Sequence, residues 1–185
     1  MGNIKERLDK LRTRMQSPDF LEGKGLSNEV NILMFCYEAE DEMTVRHFIK
    51  QISTDQNLKC NLKECNLYDI YISLCEDFDI LEAIPEMEES DGSIYLLEQL
   101  HSAIENDAFI EKMQYDDHQI GDVMLVTGVG EVFPFMRVHK LLEAMQPYFS
   151  DIPIVVMYPG KFDGHSMQLF GRLKPNDYYR AFNVI

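Results

Sequence analysis

Apolar residues recur at two different spacings along this chain, and the spacing predicts where strands and helices lie. Continuous apolar runs at residues 30–37, 122–127 and 154–158 are typical of strands that are buried on both faces. A weaker strand is predicted at residues 59–66. Apolar residues spaced three or four apart predict helices instead, at residues 3–16, 41–53, 67–82, 93–105, 108–114 and 132–147.

The order of these elements predicts the fold class. A strand at 122–127, a glycine turn, a helix at 132–147 and a strand at 154–158 make a βαβ unit with a right-handed crossover. No internal repeat or low-complexity segment interrupts the chain. We therefore predict an α/β fold in a single domain over residues 1–185, with the helical acidic segment 67–120 within it. Its central sheet should be mostly parallel and flanked by helices, a Rossmann-like arrangement.

Composition argues against a disordered, membrane-spanning, secreted or zinc-finger protein. The chain has 185 residues, of which 45% are hydrophobic, so it can bury a core and does not have the composition of a disordered protein. No apolar run approaches the roughly 20 residues that span a bilayer, and the first residues lack the apolar core of a signal peptide. The four cysteines show no zinc-finger spacing. These features predict reduced thiols in a cytoplasmic protein that does not contact the membrane.

Charge is concentrated in the middle third of the chain. The formal net charge is −15, and residues 67–122 carry 16 acidic residues and one basic residue. This balance excludes a simple basic nucleic-acid binder, so we expect no direct DNA binding by the protein alone. The acidic block is typical of a solvated helix face. It also suits a surface that meets a basic partner, or a mimic of DNA.

Three polar or glycine-bearing turns should gather at the carboxyl ends of the strands, where open parallel sheets place their ligands: 38–42, 127–130 and 159–164. The turn at 127–130, TGVG, is similar to a phosphate cradle at a helix N-terminus. However, no P-loop occurs anywhere, and no third glycine completes G-x-G-x-x-G. A structural turn is therefore the favoured interpretation, and no nucleotide cofactor is predicted.

No catalytic or metal-binding constellation is evident. Ser166 follows His165, but G-x-S-x-G is absent and sequence adjacency does not set a nucleophile against its base. Asp163 with His165, or the run Asp116–His118, could share a metal only with further ligands that the sequence does not place. We therefore predict that the protein is not an enzyme and holds no metal.

The C-terminal residues Tyr178, Tyr179 and Arg180 have the chemistry of interface hot spots. The alternative is a terminal element that closes the core, with Arg180 satisfying buried carboxylates or carbonyls. The sequence leaves both interpretations open.

Three segments together resemble the BrxB-type domain of BREX phage-exclusion systems. They are TGVGEVFPFMRVHKLLEAMQP at 127–147, PIVVMYPGKFDGHSMQLFGRL at 153–173 and DYYRAF at 177–182. The stretch YEAEDEMTVR at 37–46 resembles that family's tyrosine–acidic–arginine turn. Ala39 stands where the family often has proline, and His165 and Gln168 stand where it more usually has Gln and Arg. A Gln at the position of His165 argues against a general base there.

The resemblance implies a small core BREX component encoded beside a large ATPase, a methyltransferase and a PglZ-like phosphatase-fold protein. No activity is generally assigned to such a component, so our first hypothesis is a non-catalytic assembly subunit that bridges these partners, with a homo-oligomer left open. The alternatives are a degenerate nucleotide-binding or hydrolase domain and an acidic DNA-mimic regulator. The candidate partner- or ligand-facing residues are Glu42, Arg46, Thr127, Gly128, Gly130, Pro134, Arg137, Pro159, Gly160, Asp163, Gly164, Tyr178, Tyr179 and Arg180.

Overall fold

Five parallel strands form the centre of the computed structural model, which describes residues 3–22, 32–177 and 182–183. In chain order these strands are β1 (Ile32–Tyr37), β2 (Asn61–Asn66), β3 (Asp122–Thr127), β4 (Ile154–Phe162) and, after two short strands, β7 (Phe182–Asn183). Their order across the sheet is β2-β3-β4-β1-β7. Of the two short strands, β5 (Ser166–Leu169) pairs antiparallel with the far end of β4, and β6 (Asn176–Asp177) pairs antiparallel with β5.

Helices cover both faces of the sheet because the strands are apolar on both sides. One face packs against α1 (Ile4–Met15), α2 (Pro18–Leu21) and α3 (Glu42–Ser53). The other packs against α4 (Leu67–Asp77), α7 (Asn106–Met113), α8 (Val129–Val132) and α9 (Val138–Met145). Between α4 and α7, the helices α5 (Ile84–Asp91) and α6 (Ser93–Ala103) pack mainly against each other. The predicted α/β class, with a mostly parallel sheet flanked by helices, is confirmed.

The helix predicted at 132–147 is wrong as a single element. The structure has α8, then residues 133–137, and then α9. Pro134 explains the break, because proline has no N–H for a helix and disfavours helical backbone at the residue before it. Phe133 accordingly has φ −70° and ψ 135°, an extended conformation.

The strand predicted at 154–158 is longer than expected, and part of the predicted 159–164 turn is strand. Pro159 and Gly160 lie inside β4, which continues to Phe162 and pairs with β5. Gly160 permits this pairing, since a Cβ there would collide with the backbone oxygen of Gln168.

The helix predicted at 67–82 also ends earlier, at Asp77, and α5 was not predicted. Within the described residues, no helix is both long and apolar enough to cross a membrane.

Candidate functional site

A cleft of about 290 Å³ opens at the carboxyl ends of β1, β2 and β3. The helix after β1 covers one face of the sheet and the helix after β3 covers the other, so this is the position where α/β sheets commonly bind ligands. Four predicted residues meet here: Glu42, Arg46, Thr127 and Gly128. The prediction missed the other lining residues, among them Tyr37, Glu64, Asn66 and Glu131.

One chain of hydrogen bonds joins α3 to α8 across this cleft. The Tyr37 hydroxyl donates to Glu42 Oε2 at 2.7 Å, and Arg46 Nε donates to Glu42 Oε1 at 2.7 Å. Arg46 Nη2 also pairs with Glu131 Oε1 at 2.9 Å. Burial and the hydrogen bond to Glu42 raise the pKa of Tyr37 far above its usual value, so the phenol stays protonated. The hydrogen bond to Glu42 is the largest of the effects that raise the pKa of Arg46.

A second carboxylate joins three elements in the same cleft. Glu64 accepts hydrogen bonds from Thr127 Oγ1 at 3.1 Å and from Ser53 Oγ at 3.2 Å. The Thr127 side chain is buried, so its hydroxyl is satisfied inside the protein. Glu64 therefore ties β2 to β3 and to the end of α3.

Gly128 faces a neighbouring side chain instead of an open phosphate cradle. Its φ is 70°, and a Cβ there would collide with Oδ1 of Asn66. That oxygen accepts hydrogen bonds from the N–H groups of Tyr68 at 3.0 Å and Asp69 at 3.3 Å, and so caps α4. Three carboxylates line the cleft, those of Glu42, Glu64 and Glu131, against the two cations Arg46 and Lys50, and Arg46 is already paired with Glu42 and Glu131. The excess of negative charge disfavours an anionic phosphate.

The predicted Gly130, Pro159 and Gly160 serve close packing. A Cβ on Gly130 would lie 3.0 Å from the Phe170 ring and 3.1 Å from Cγ of Pro159. A Cβ on Gly160 would lie 3.0 Å from the backbone nitrogen of Phe170. The small residues therefore let α8 and the β4–β5 hairpin approach each other.

Asp163 and Gly164 form the turn of this hairpin. Asp163 Oδ1 accepts from the backbone N–H groups of Ser166 at 2.7 Å and His165 at 2.8 Å, and these bonds lower the pKa of the Asp163 carboxyl. The Ser166 hydroxyl donates to Asp163 Oδ2 at 3.2 Å. Gly164 supplies a φ of 94°, which glycine adopts without strain. These groups therefore stabilise a turn and do not form a nucleophile–base pair.

In the candidate metal run Asp116–His118, the histidine is engaged by another residue. His118 pairs through Nδ1 with Asp151 at 2.9 Å, and not with its sequence neighbours Asp116 and Asp117. Across the described ranges, no group of three His, Cys, Asp or Glu residues could hold a metal ion.

A larger cavity of about 680 Å³ lies beside the first cleft, between α1 and the β4–β5 hairpin. The predicted Gly160 and Asp163 line it, together with Arg7 and Lys10 of α1, whose part the prediction missed. Arg7 Nη2 donates to the backbone oxygen of Cys36 at 2.6 Å. Burial raises the pKa of the Cys36 thiol to about 12, so this thiol is protonated and unreactive at neutral pH.

Pro134 and Arg137 lie apart from both sites, in the segment between α8 and α9. The Pro134 carbonyl accepts a hydrogen bond from His101 Nε2 at 2.6 Å, which fastens this segment to α6. Arg137 is exposed between two further cavities, of about 630 Å³ and 250 Å³. The remaining candidates, Tyr178, Tyr179 and Arg180, lie outside the described residues.

Some of the missed residues had a sequence signal. Tyr37 is the last residue of a predicted strand, and it opens the tyrosine–acidic–arginine stretch. Glu131 follows the glycine turn directly. Glu64 had no such signal, because its contact with Thr127 requires that β2 and β3 be paired in register.

Comparisons with known proteins identify the family of the chain. A family model described as "BREX protein BrxB" matches residues 63–184. A BREX protein BrxB of Bacillus cereus (strain H3081.97) is 33% identical over 192 residues, covering 100% of this chain and 99% of that protein. A BREX protein BrxB of Escherichia coli O9:H4 (strain HS) is 26% identical over 189 residues, covering 98% and 92%. No solved structure matches the chain significantly.

Proposed function

The chain belongs to the BrxB family of BREX proteins, and from this premise we propose that it is a non-catalytic core subunit of a BREX-type antiphage complex. Its role is to bridge larger components: a large ATPase, a methyltransferase and a PglZ-like phosphatase-fold protein. It acts in the cytoplasm by binding these components, and it has no cofactor or metal of its own.

The observation that carries this proposal is that the charged side chains of the carboxyl-end cleft are bonded to other residues of the protein. An α/β enzyme keeps its reacting groups at this position. Here the charged side chains form hydrogen bonds or ion pairs with other side chains of the same protein, as Glu42, Glu64 and Arg46 do. A group that is tied in this way supports the fold and has little capacity left for proton transfer or nucleophilic attack.

A second feature supports a binding role. The acidic hairpin, defined as residues 81–103, contains six acidic residues and neither Lys nor Arg. Its helix α5 buries no residue, and α6 exposes Ile94 (80%) and Tyr95 (47%) at its start. Exposed apolar side chains among like charges are typical of a surface that meets a partner of opposite charge. We propose that this hairpin contacts a basic surface of another component.

Nucleotide binding is the less favoured alternative. It would use Gly128, Gly130 and Asp163 around a phosphate, but Asn66 fills the space beside Gly128 and Asp163 is held in a hairpin turn. No separate observation favours the DNA-mimic alternative over a basic protein partner.

Co-purification tests the proposal. An affinity-tagged chain is expressed together with the untagged ATPase, methyltransferase and PglZ-like protein of its system. We expect at least one of them to elute with the tag through size-exclusion chromatography at 150 mM salt. A matched sample in which Ile94 and Tyr95 are both replaced by Ser should lose the partner that meets the acidic hairpin. Elution of the tagged chain alone would contradict the proposal.

A further inference from the structure

A small pocket on the α8–α9 side of the molecule differs in charge from the rest of the protein. It has a volume of about 250 Å³ and lies between α8, the first turn of α9 and the segment after β5. In a chain of formal charge −15, no Asp or Glu of the described residues lines it. Its apolar lining consists of Val129, Phe133, Met136, Val138, Leu169 and Leu173.

Two cationic side chains line this pocket. Arg137 and Lys174 line it, both are exposed, and neither charged group forms an ion pair within the described ranges. His139 also lines it. Burial, together with the charges of Arg137 and Lys140, lowers the pKa of His139 against the opposing effect of Glu143. His139 is therefore neutral at pH 7 in a locally positive environment.

The N-terminus of α9 contributes to the same field. This eight-residue helix begins at Val138, has no side-chain cap and carries no acidic residue in its first turn. The first backbone N–H groups of a helix lack intrahelical partners, and the positive end of the helix dipole lies there. In α9 the Lys140 N–H already donates to the Arg137 carbonyl at 3.1 Å, so the N–H groups before it are the ones that can face an anion. No side chain of the first turn neutralises that end, so it can stabilise an anion at the pocket.

An independent observation comes from Tyr158, whose side chain lines this pocket and is only 2% exposed. Its hydroxyl forms no hydrogen bond with the part of the chain that the structure describes. Burial raises the pKa of Tyr158 far above its usual value, so the group remains an O–H donor. Because the Tyr158 hydroxyl is not among the fully buried polar atoms, its O–H can donate to an acceptor oxygen of a ligand in the pocket.

We propose that this pocket captures the C-terminal residue of another protein, with the apolar side chain inside and the carboxylate near Arg137, Lys174 and the Tyr158 hydroxyl. The volume is below that of pockets for drug-sized ligands and suits one side chain. Carboxylate capture at chain termini is a recurring recognition mode. A free amino acid fits less well, because its ammonium group finds no carboxylate in the lining. The inference rests on the proposed function only in taking a protein as the source of the ligand.

Titration with small probes, followed by NMR of the ¹⁵N-labelled full chain, tests the pocket directly. N-acetyl-L-phenylalanine should shift the resonances of Val129, His139 and Leu169 with a Kd in the millimolar range, as its size allows. N-acetyl-L-phenylalanine amide, which lacks the carboxylate, should bind about tenfold more weakly, since a charge-assisted hydrogen bond is lost. Free phenylalanine should also bind more weakly than the acetylated acid.

Variants separate the pocket from general effects of charge. The double variant Arg137→Gln with Lys174→Gln should abolish the preference for acid over amide, and Tyr158→Phe should weaken binding of the acid. Lys140→Gln is the control, because Lys140 is an exposed cation on the same helix that does not line this pocket. Equal affinity for acid and amide, tighter binding of free phenylalanine, or shifts centred elsewhere would overturn the inference. If the chain co-purifies with partners but shows no preference for the acid, this inference fails and the proposed function stands.

Discussion

At Gly128 the backbone takes a left-handed conformation directly against the Asn66 side chain. The residue directly follows β3 and is the N-cap of α8, so its position sets how both elements meet the cap of α4. Its glycine is needed for two separate reasons: the positive φ, and the absence of a Cβ where Oδ1 of Asn66 lies. These two requirements can be measured apart.

Replacement of Gly128 by Ala should therefore destabilise the protein by about 2–4 kcal/mol, the sum of backbone strain and a steric clash. Gly164→Ala is the matched control, because Gly164 also has positive φ (94°) but a Cβ there meets nothing within 4 Å. The control should lose only about 1 kcal/mol. Urea denaturation of both variants checks this, and equal losses would show that the Asn66 contact has no energetic importance.

Asp122 is a buried carboxylate at the start of β3, and its stability contribution depends on pH. Burial alone would raise its pKa, but hydrogen bonds from the Gln119 N–H (3.2 Å), the Asn61 amide (3.1 Å) and the Tyr115 hydroxyl (3.0 Å) outweigh burial and lower it. Because the folded pKa lies below the unfolded value of about 4, the contribution is complete above that pH. It is lost as the pH falls through the folded pKa.

The variant Asp122→Asn should accordingly lose about 1–3 kcal/mol of stability at pH 7, since an amide cannot accept from all three donors. The difference from the wild type should shrink as the pH is lowered below 4. Asp116→Asn, an exposed carboxylate in the preceding loop, is the control and should change little. A deficit for Asp122→Asn that is the same at pH 7 and pH 3 would show that the carboxylate charge is not responsible.

Among the helices and strands, the hydrophobic pattern predicted the central strands correctly. The strands β1, β3 and β4 are continuous apolar runs, and the sheet they form is parallel as expected. The predicted helix at 132–147 failed because helical spacing of apolar residues continues across Pro134, whose backbone effect the pattern does not contain. Glu42 and Arg46 were predicted together and do pair, as i and i+4 neighbours on one helix. Glu64 and Asn66 act on residues far away in sequence, so only the folded sheet brings them into the site.

The start of α6 offers the clearest division between a folding face and a contact face. Leu96 is 6% exposed, whereas Ile94 is 80% exposed. Leu96→Ala should cost about 2–4 kcal/mol, because it removes a buried side chain. Ile94→Ser should stay within about 0.5 kcal/mol of the wild type but weaken capture of the basic partner. Thermal melts and pull-downs on both variants check this, and an early-melting Ile94→Ser would assign that residue to the core.

For the molecule as a whole, the distribution of charge on the fold is typical of a protein that acts by binding other proteins. The acidic hairpin projects one strongly negative surface, whereas the small pocket beside α9 is lined by cations and no carboxylate of the described residues. Two surfaces of opposite character suit a subunit that holds two different partners at once. Composition predicted the acidic surface, because the acidic residues are clustered in one segment of the sequence. It did not predict the pocket, because its cations Arg137 and Lys174 are distant in sequence and line the same cavity only in the folded protein.

The molar ratio of the chain to its partner distinguishes an assembly subunit from an enzyme. An assembly subunit acts in proportion to its amount, whereas a catalyst turns over. The chain is placed under a titratable promoter in cells that carry the rest of its BREX system. Phage protection and the molar ratio of the chain to its co-purifying partner are then measured in the same cultures. If the chain is an assembly subunit, protection rises with the amount of chain and reaches its maximum only when the partner is saturated. Full protection at a small fraction of the partner's amount would contradict it and indicate catalysis.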